Sequence, residues 1–114
     1  MIAVISEVWP HPERRADYDL LAAELGRRLA SIDGFISAER FASCVEPGKF
    51  LSLSLWRDEA ALAAWRNLEE HRVIMRKGRE GILRDYRIRA SRVLWDYSLQ
   101  DRAGAPADSR AIFG

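Results

Sequence analysis

Residues 50–56, FLSLSLW, alternate strictly, and this period of two limits the possible folds more than any other feature of the chain. Successive side chains of a β-strand point to opposite faces of the sheet. One face of this strand therefore carries three leucines, and the other carries Phe50, Ser52, Ser54 and Trp56. Because both faces contain apolar bulk, we expect both to be covered.

Three further segments have strand character. The turn residues 46–49, EPGK, connect residues 35–44 to the alternating strand, and together they predict a β-hairpin. Residues 2–9, IAVISEVW, are β-branched and apolar and predict a largely buried first strand. Residues 87–98 return to strand character and predict the fourth strand.

Two segments have helical periodicity. In residues 13–31 the apolar side chains fall within one stripe at 3.6 residues per turn. Residues 59–86 are rich in helix formers and follow Asp58, a good N-cap residue. A helix of this length is expected to bend, at Asn67, Gly78 or Gly81.

The element order is βαββαβ, which predicts an α+β, ferredoxin-like fold. We expect a four-stranded antiparallel sheet with two helices on one face, formed by residues 1–98. Residues 99–114 predict a C-terminal extension, either flexible or in contact with a second subunit. The sheet face without helices is apolar, so we expect a symmetric homodimer; the alternative is that loops and the extension cover this face.

Composition excludes several classes of partner. The chain has 18 Lys and Arg against 17 Asp and Glu, and this net charge of +1 argues against nucleic acid. No window approaches the roughly 20 apolar residues of a membrane span. Cys44 is the only cysteine, so no internal disulfide forms, which fits a reducing cytoplasm. We expect a cytoplasmic protein with neither nucleic acid nor a membrane as partner.

Several motifs in this order resemble the antibiotic biosynthesis monooxygenase family. They are Asp33-Gly34-Phe35 at the start of strand two, the strand ending Leu55-Trp56 followed by RDEAALAAW, the later His71, and DYRIRASRV entering strand four. The resemblance covers residues 1–98 and implies a dimeric α+β barrel with a cavity between sheet and helices. It also implies oxygenation of a small aromatic or polycyclic molecule without a cofactor.

The resemblance assigns roles to two residues. His71 and Trp65 correspond to the histidine and tryptophan on the family's second helix, which makes them the candidate catalytic pair. In haem-degrading relatives this histidine ligates iron beside an asparagine on strand one, where this chain has Ser6 and Glu7. Haem binding or degradation is therefore the alternative, and a ligand-binding or simply packed barrel without catalysis is another.

The helical pattern places further candidate site residues in the same region as His71. On an uninterrupted helix, His71, Met75 and Tyr86 fall within one inward stripe, with Arg79 beside it. His71, partly neutral at physiological pH, can act as a base; the competing interpretation is a hydrogen-bonded core histidine. The predicted substrate-binding residues are Trp56, Met75, Arg79, Tyr86 and Trp95. We expect no metal, because His11 and His71 make no recognisable ligand spacing with the carboxylates.

Overall fold

A four-stranded antiparallel sheet with the order β2-β3-β1-β4 organises the chain, which a computed structural model describes from Met1 to Gly114. The strands are β1 (Ile2–Pro10), β2 (Phe35–Ala42), β3 (Phe50–Trp56) and β4 (Leu83–Arg92). The helices are α1 (Arg15–Leu29), α2 (Glu59–Arg66), α3 (Glu69–Lys77) and a short α4 (Ala107–Phe113). This confirms the predicted α+β, ferredoxin-like order, with the second helix divided into α2 and α3.

The core lies where β1 meets β3 beneath α2. The register pairs Ile2 with Trp56, so the start of β1 lies opposite the end of β3. Ile2, Val4, Trp56, Ala61 and Trp65 form one buried cluster. Each large apolar side chain in it stabilises the fold by about 1.5–3 kcal/mol through removal from water. This cluster joins the sheet to the helical layer.

The predicted bend at Asn67 is confirmed. The Asn67 side-chain amide donates to the Ala63 carbonyl over 2.8 Å, which ends α2. Leu68 then adopts an extended conformation with φ −66° and ψ 137°, and α3 begins at the next residue. The second helix therefore changes direction just before the segment that contains His71.

The predicted C-terminal limit of this helical region, residue 86, is wrong. After α3 the chain makes one wide turn at Gly78–Ile82, in which Glu80 leaves the helical region and Gly81 has φ 96°. A positive φ favours glycine and ends regular helix. Strand β4 therefore begins at Leu83, and Tyr86 lies on a strand rather than on a helix.

The fourth strand, predicted at residues 87–98, extends from Leu83 to Arg92 instead. Arg92 pairs with Ile2, the first residue of β1, and one further hydrogen bond runs from the Val93 N–H to the Met1 carbonyl over 3.0 Å. The ladder between β1 and β4 ends there. Trp95 and Tyr97 consequently lie outside the sheet.

The C-terminal extension has a local structure of its own. The Arg102 guanidinium lies 4.8 Å from the centre of the Tyr97 ring and donates to the carbonyls of Ser98 and Gly114 and to the Ser109 hydroxyl. These bonds hold the start of the extension against α4. Contact of this extension with a second subunit stays a prediction.

The sheet face opposite the helices is the side of Ile5 and of the three β3 leucines, all partly exposed. On this face Glu7 pairs with Lys49 over 2.6 Å and with Arg89. The chain exposes 7890 Å², against about 6,300 Å² expected for a compact monomer of its mass. Its radius of gyration is 16.5 Å, against about 13 Å for a compact domain of this length. The isolated chain thus leaves an unusual amount of surface uncovered.

We expect Gly34→Ala to lower the free energy of unfolding by about 1–3 kcal/mol. Gly34 has φ 85°, and an added Cβ would collide with the Cβ of Ala61 in the core. Urea denaturation measures the loss. Gly26→Ala is the control, because Gly26 is helical and has open space around it, so no loss is expected there. Equal stability of the two variants would contradict the packing described here.

Candidate active site

A cavity of about 490 Å³ lies between the helices and the sheet. Helices α1, α2 and α3 form its roof, and the four strands supply its floor. Of its 27 lining residues 17 are hydrophobic, so the cavity suits a molecule with an apolar body. Ile88 on the edge strand β4 is 50% exposed although it lines the cavity, which indicates an opening along this edge.

Hydroxyl groups interrupt the apolar floor. Ser6 on β1 and Ser52 on β3 are direct partners in the register and share the face that lines the cavity. Neither side chain makes a hydrogen bond within the protein, whereas the Ser54 hydroxyl accepts one from Trp56 Nε1 over 2.9 Å. Tyr86 adds a phenol on the β4 side. Ser6 and Ser52 are therefore free to bind a polar atom of a ligand.

The rings of Trp56, Trp65 and His71 form a continuous row of contacts on the cavity wall. Trp56 is 1% exposed, and its ring centre lies 6.2 Å from that of Trp65. The Trp65 and His71 ring centres lie 4.7 Å apart. The Asp58 carboxylate caps α2 by accepting from the Ala61 N–H over 2.8 Å, and this fixes the helix that carries Trp65. The imidazole is thereby held against a rigid wall.

The break between α2 and α3 creates the contact between Trp65 and His71. Six residues on one continuous helix would separate their directions by about 120° around the axis. The extended Leu68 turns α3 so that both rings line the same cavity. The sequence predicts both residues on one long helix, but only the break brings them into contact.

The surroundings of His71 favour its neutral form. Burial lowers the pKa of His71 below the ordinary 6.5, the Arg66 charge acts in the same direction, and the Arg66 carbonyl opposes them. That carbonyl lies 3.3 Å from Nδ1. Because a carbonyl can only accept, Nδ1 is the protonated nitrogen in this contact, and Nε2 keeps its lone pair. His71 is thus arranged as a base.

Three arginines line the cavity: Arg40, Arg66 and Arg79. Arg40 pairs with Asp19 over 3.3 Å and lies over the Tyr18 ring. Neither of the other two has a carboxylate within 4.0 Å.

The structure brings six of the seven predicted site residues to one cavity. They are Trp56, Trp65, His71, Met75, Arg79 and Tyr86. Trp95 is the exception: it is 59% exposed in the segment after β4 and does not line the cavity. Its predicted position assumed that the strand continues to residue 98, whereas β4 ends at Arg92.

The sequence analysis did not predict most of the other wall residues, among them Ser52, Ser54, Arg66 and Ile74. The signal for the two serines was present, because the alternation of residues 50–56 places them on the same face as Trp56. Arg66 gave no signal, since its approach to the cavity depends on where α2 ends.

Few side chains that could ligate a metal lie close together. No group of three His, Cys, Asp or Glu side chains is close enough together to hold a metal ion. His71 is the only histidine on the cavity wall, while His11 lies in the turn after β1, 3.9 Å from Glu13.

None of the helices is both long and apolar enough to cross a membrane.

Comparison with known proteins gives matches in sequence and in structure. Residues 1–77 match the family model for antibiotic biosynthesis monooxygenase. Over 93 residues, 82% of this chain, the sequence is 45% identical to jasmonate monooxygenase from Pyricularia oryzae. The chain spans 43% of that relative's length, so the match concerns less than half of the fungal protein.

Solved structures of distant sequence share the fold. A Deinococcus radiodurans structure described with the same family name superposes with a TM-score of 0.79 at 16% identity, covering 86% of this chain and 97% of the other. A variant of SnoaB, a cofactor-independent oxygenase from Streptomyces nogalater, gives 0.72 at 11% identity and covers 81% and 91%. At these identities the agreement establishes the fold alone.

We expect the pKa of His71, measured by NMR titration, to lie below 6.5, because burial penalises the imidazolium. The unfolded chain then binds this proton more tightly than the native state, so stability falls as the pH drops from 6.5 through the native pKa. His71→Gln should reduce this pH dependence of the free energy of unfolding. A pKa at or above 6.5 would contradict the assigned surroundings.

Proposed function

Since the chain belongs to the antibiotic biosynthesis monooxygenase family, we propose that it oxygenates a small organic molecule in this cavity without a cofactor. The observation that carries the proposal is the position of His71, whose ring contacts Trp65 at the wall of an apolar cavity while its Nδ1 lies 3.3 Å from the Arg66 carbonyl, an arrangement that leaves Nε2 to act as the base. SnoaB, a cofactor-independent oxygenase, supports the same chemistry through its shared fold.

The proposed reaction begins with proton transfer. His71 Nε2 removes a proton from an acidic C–H of the substrate, such as that of an anthrone or of a carbon beside a ketone. The carbanion reduces O₂, a C–O bond forms, and the protonated His71 returns its proton to the peroxide oxygen to give a hydroperoxide. The second hydrogen of the same carbon is then lost as the O–O bond breaks, so water leaves, a carbonyl remains, and one oxygen atom enters the product.

The cavity residues support each step. The negative charge of the carbanion moves onto the substrate's carbonyl oxygen, which the free hydroxyls of Ser6 and Ser52 can bind. A flat ring would pack beside Trp65. The low dielectric of the apolar walls strengthens these polar contacts. We therefore propose that the serine pair positions the substrate oxygen.

Two substrate classes are consistent with this site. One is the small aromatic or polycyclic molecule implied by the family. The other is a jasmonate-type ketone carboxylate, which the name of the Pyricularia oryzae relative supports.

We further propose a cytoplasmic location, supported by the free, exposed Cys44.

A haem-binding protein and a carrier without catalysis are the competing functions. His71 Nε2 is the only histidine nitrogen on the cavity wall that could ligate haem iron. A haemin titration that gives a saturable Soret shift lost in His71→Ala would favour haem. Tight binding of an organic ligand without oxygen consumption would favour a carrier.

We expect His71→Ala to reduce O₂-dependent turnover of an anthrone or of jasmonate by about 10²–10⁴-fold, the usual contribution of a general base. An oxygen electrode and product mass spectrometry measure this in the presence of a chelator. His11→Ala is the control, because His11 lies outside the cavity. Full turnover by the position-71 variant would exclude His71 as the base.

We also propose a homodimer formed through the sheet face opposite the helices, supported by its leucines and by the large uncovered surface. Light scattering should give twice the 13.0 kDa mass of one chain. Leu53→Lys on this face should shift the mass toward a monomer. Leu20→Lys, at a 69% exposed position on α1, should not. A monomeric wild-type protein would refute the proposal.

A further inference from the structure

The charges around the cavity are unbalanced. Glu39 is the only acidic residue among the lining residues, against three arginines. Arg40 pairs with Asp19, but Arg66 and Arg79 have no carboxylate within 4.0 Å. The cavity wall therefore carries uncompensated positive charge next to an apolar interior, which favours a ligand with an anionic end.

Two arginines just outside the cavity have carboxylate partners. Arg76 on α3 lies 3.6 Å from Glu69, and Arg28 on α1 lies 3.5 Å from Glu70 on α3. Arg27 on α1 also lacks a carboxylate partner and does not line the cavity, so the position of Arg79 on the cavity wall, and not its lack of a partner, distinguishes it.

His71, Met75 and Arg79 are spaced four residues apart and all line the cavity. The backbone stays helical through Gly78, with φ −59° and ψ −40°, so the three side chains follow one face of α3 and its extension. Eight residues of helix correspond to about 12 Å. The row runs from a base through an apolar thioether to a cation.

We propose that the substrate is an amphiphilic carboxylate that lies along α3, with its carboxylate bound by Arg79 and its reacting carbon at His71. This assignment rests on the proposed function for the position of the reacting carbon, and on the charges for the anionic end. Met75 contacts the apolar middle of the molecule. A guanidinium binds a carboxylate through two parallel hydrogen bonds, which sets the substrate's direction in the cavity.

The test compares jasmonate with its neutral methyl ester, using tryptophan fluorescence to follow binding near Trp65. The wild-type protein should bind the acid at least about tenfold more tightly than the ester, the difference expected for a charge-assisted hydrogen bond. Salt should weaken binding of the acid and leave the ester unchanged. Equal affinity for acid and ester would overturn the proposal without any variant.

Arg79→Gln should weaken binding of the acid by about tenfold, leave the ester unaffected and so abolish the selectivity. Arg27→Gln is the matched control, because Arg27 is exposed on α1, has no carboxylate partner and does not line the cavity. Unchanged selectivity in Arg79→Gln would overturn the assignment, as would failure of the wild-type protein to bind either compound.

Oxygen consumption separates this inference from the proposed function. Selective binding of the acid without O₂ uptake would support the carboxylate site and refute the oxygenase. Turnover of a neutral anthrone together with equal binding of acid and ester would support the oxygenase and refute the carboxylate site.

Discussion

The burial of Trp56 is the contact on which the rest of the structure depends. Its ring, 1% exposed, packs edge-on against Phe35 at 5.5 Å and stacks with Trp65, while its Nε1 donates to Ser54. These contacts join the central sheet, the start of β2 and helix α2. Because Trp65 is fixed in this way, it can hold His71 at the cavity wall. Trp56 thus contributes to the packing of the core and, through Trp65, to the position of His71.

The cavity exists because the sheet does not fill the space beneath the helices. Small side chains, Ser6, Ser52 and Ser54, occupy the middle of the floor where larger residues would complete a core. No large apolar side chains fill this part of the interior, and only 12 of the 114 residues are buried. An apolar space with a few polar groups at defined positions is the usual form of a small-molecule site. Low core burial and function are therefore linked in this chain.

Much of the fold could be predicted because it depends on local periodicity. The alternation of residues 50–56 predicted that Trp56 and Phe50 share one face of the strand, and both are buried in the structure. The site was predictable where residues shared a helical face, as His71 and Met75 do. Trp95, predicted for the same site, lies outside the cavity because β4 ends at Arg92, and the length of a strand depends on its pairing with a partner strand.

The sequence alone determined the order of strands and helices, the bend at Asn67 and the family, since each depends on residues close together in the chain or on motif spacing. The tertiary structure decided which polar groups meet. The extended backbone at Leu68 brings His71 against Trp65, and the carbonyl of Arg66 then selects the nitrogen that stays unprotonated. Such contacts depend on the angle between two helices packed on a sheet, and no period in the sequence encodes that angle.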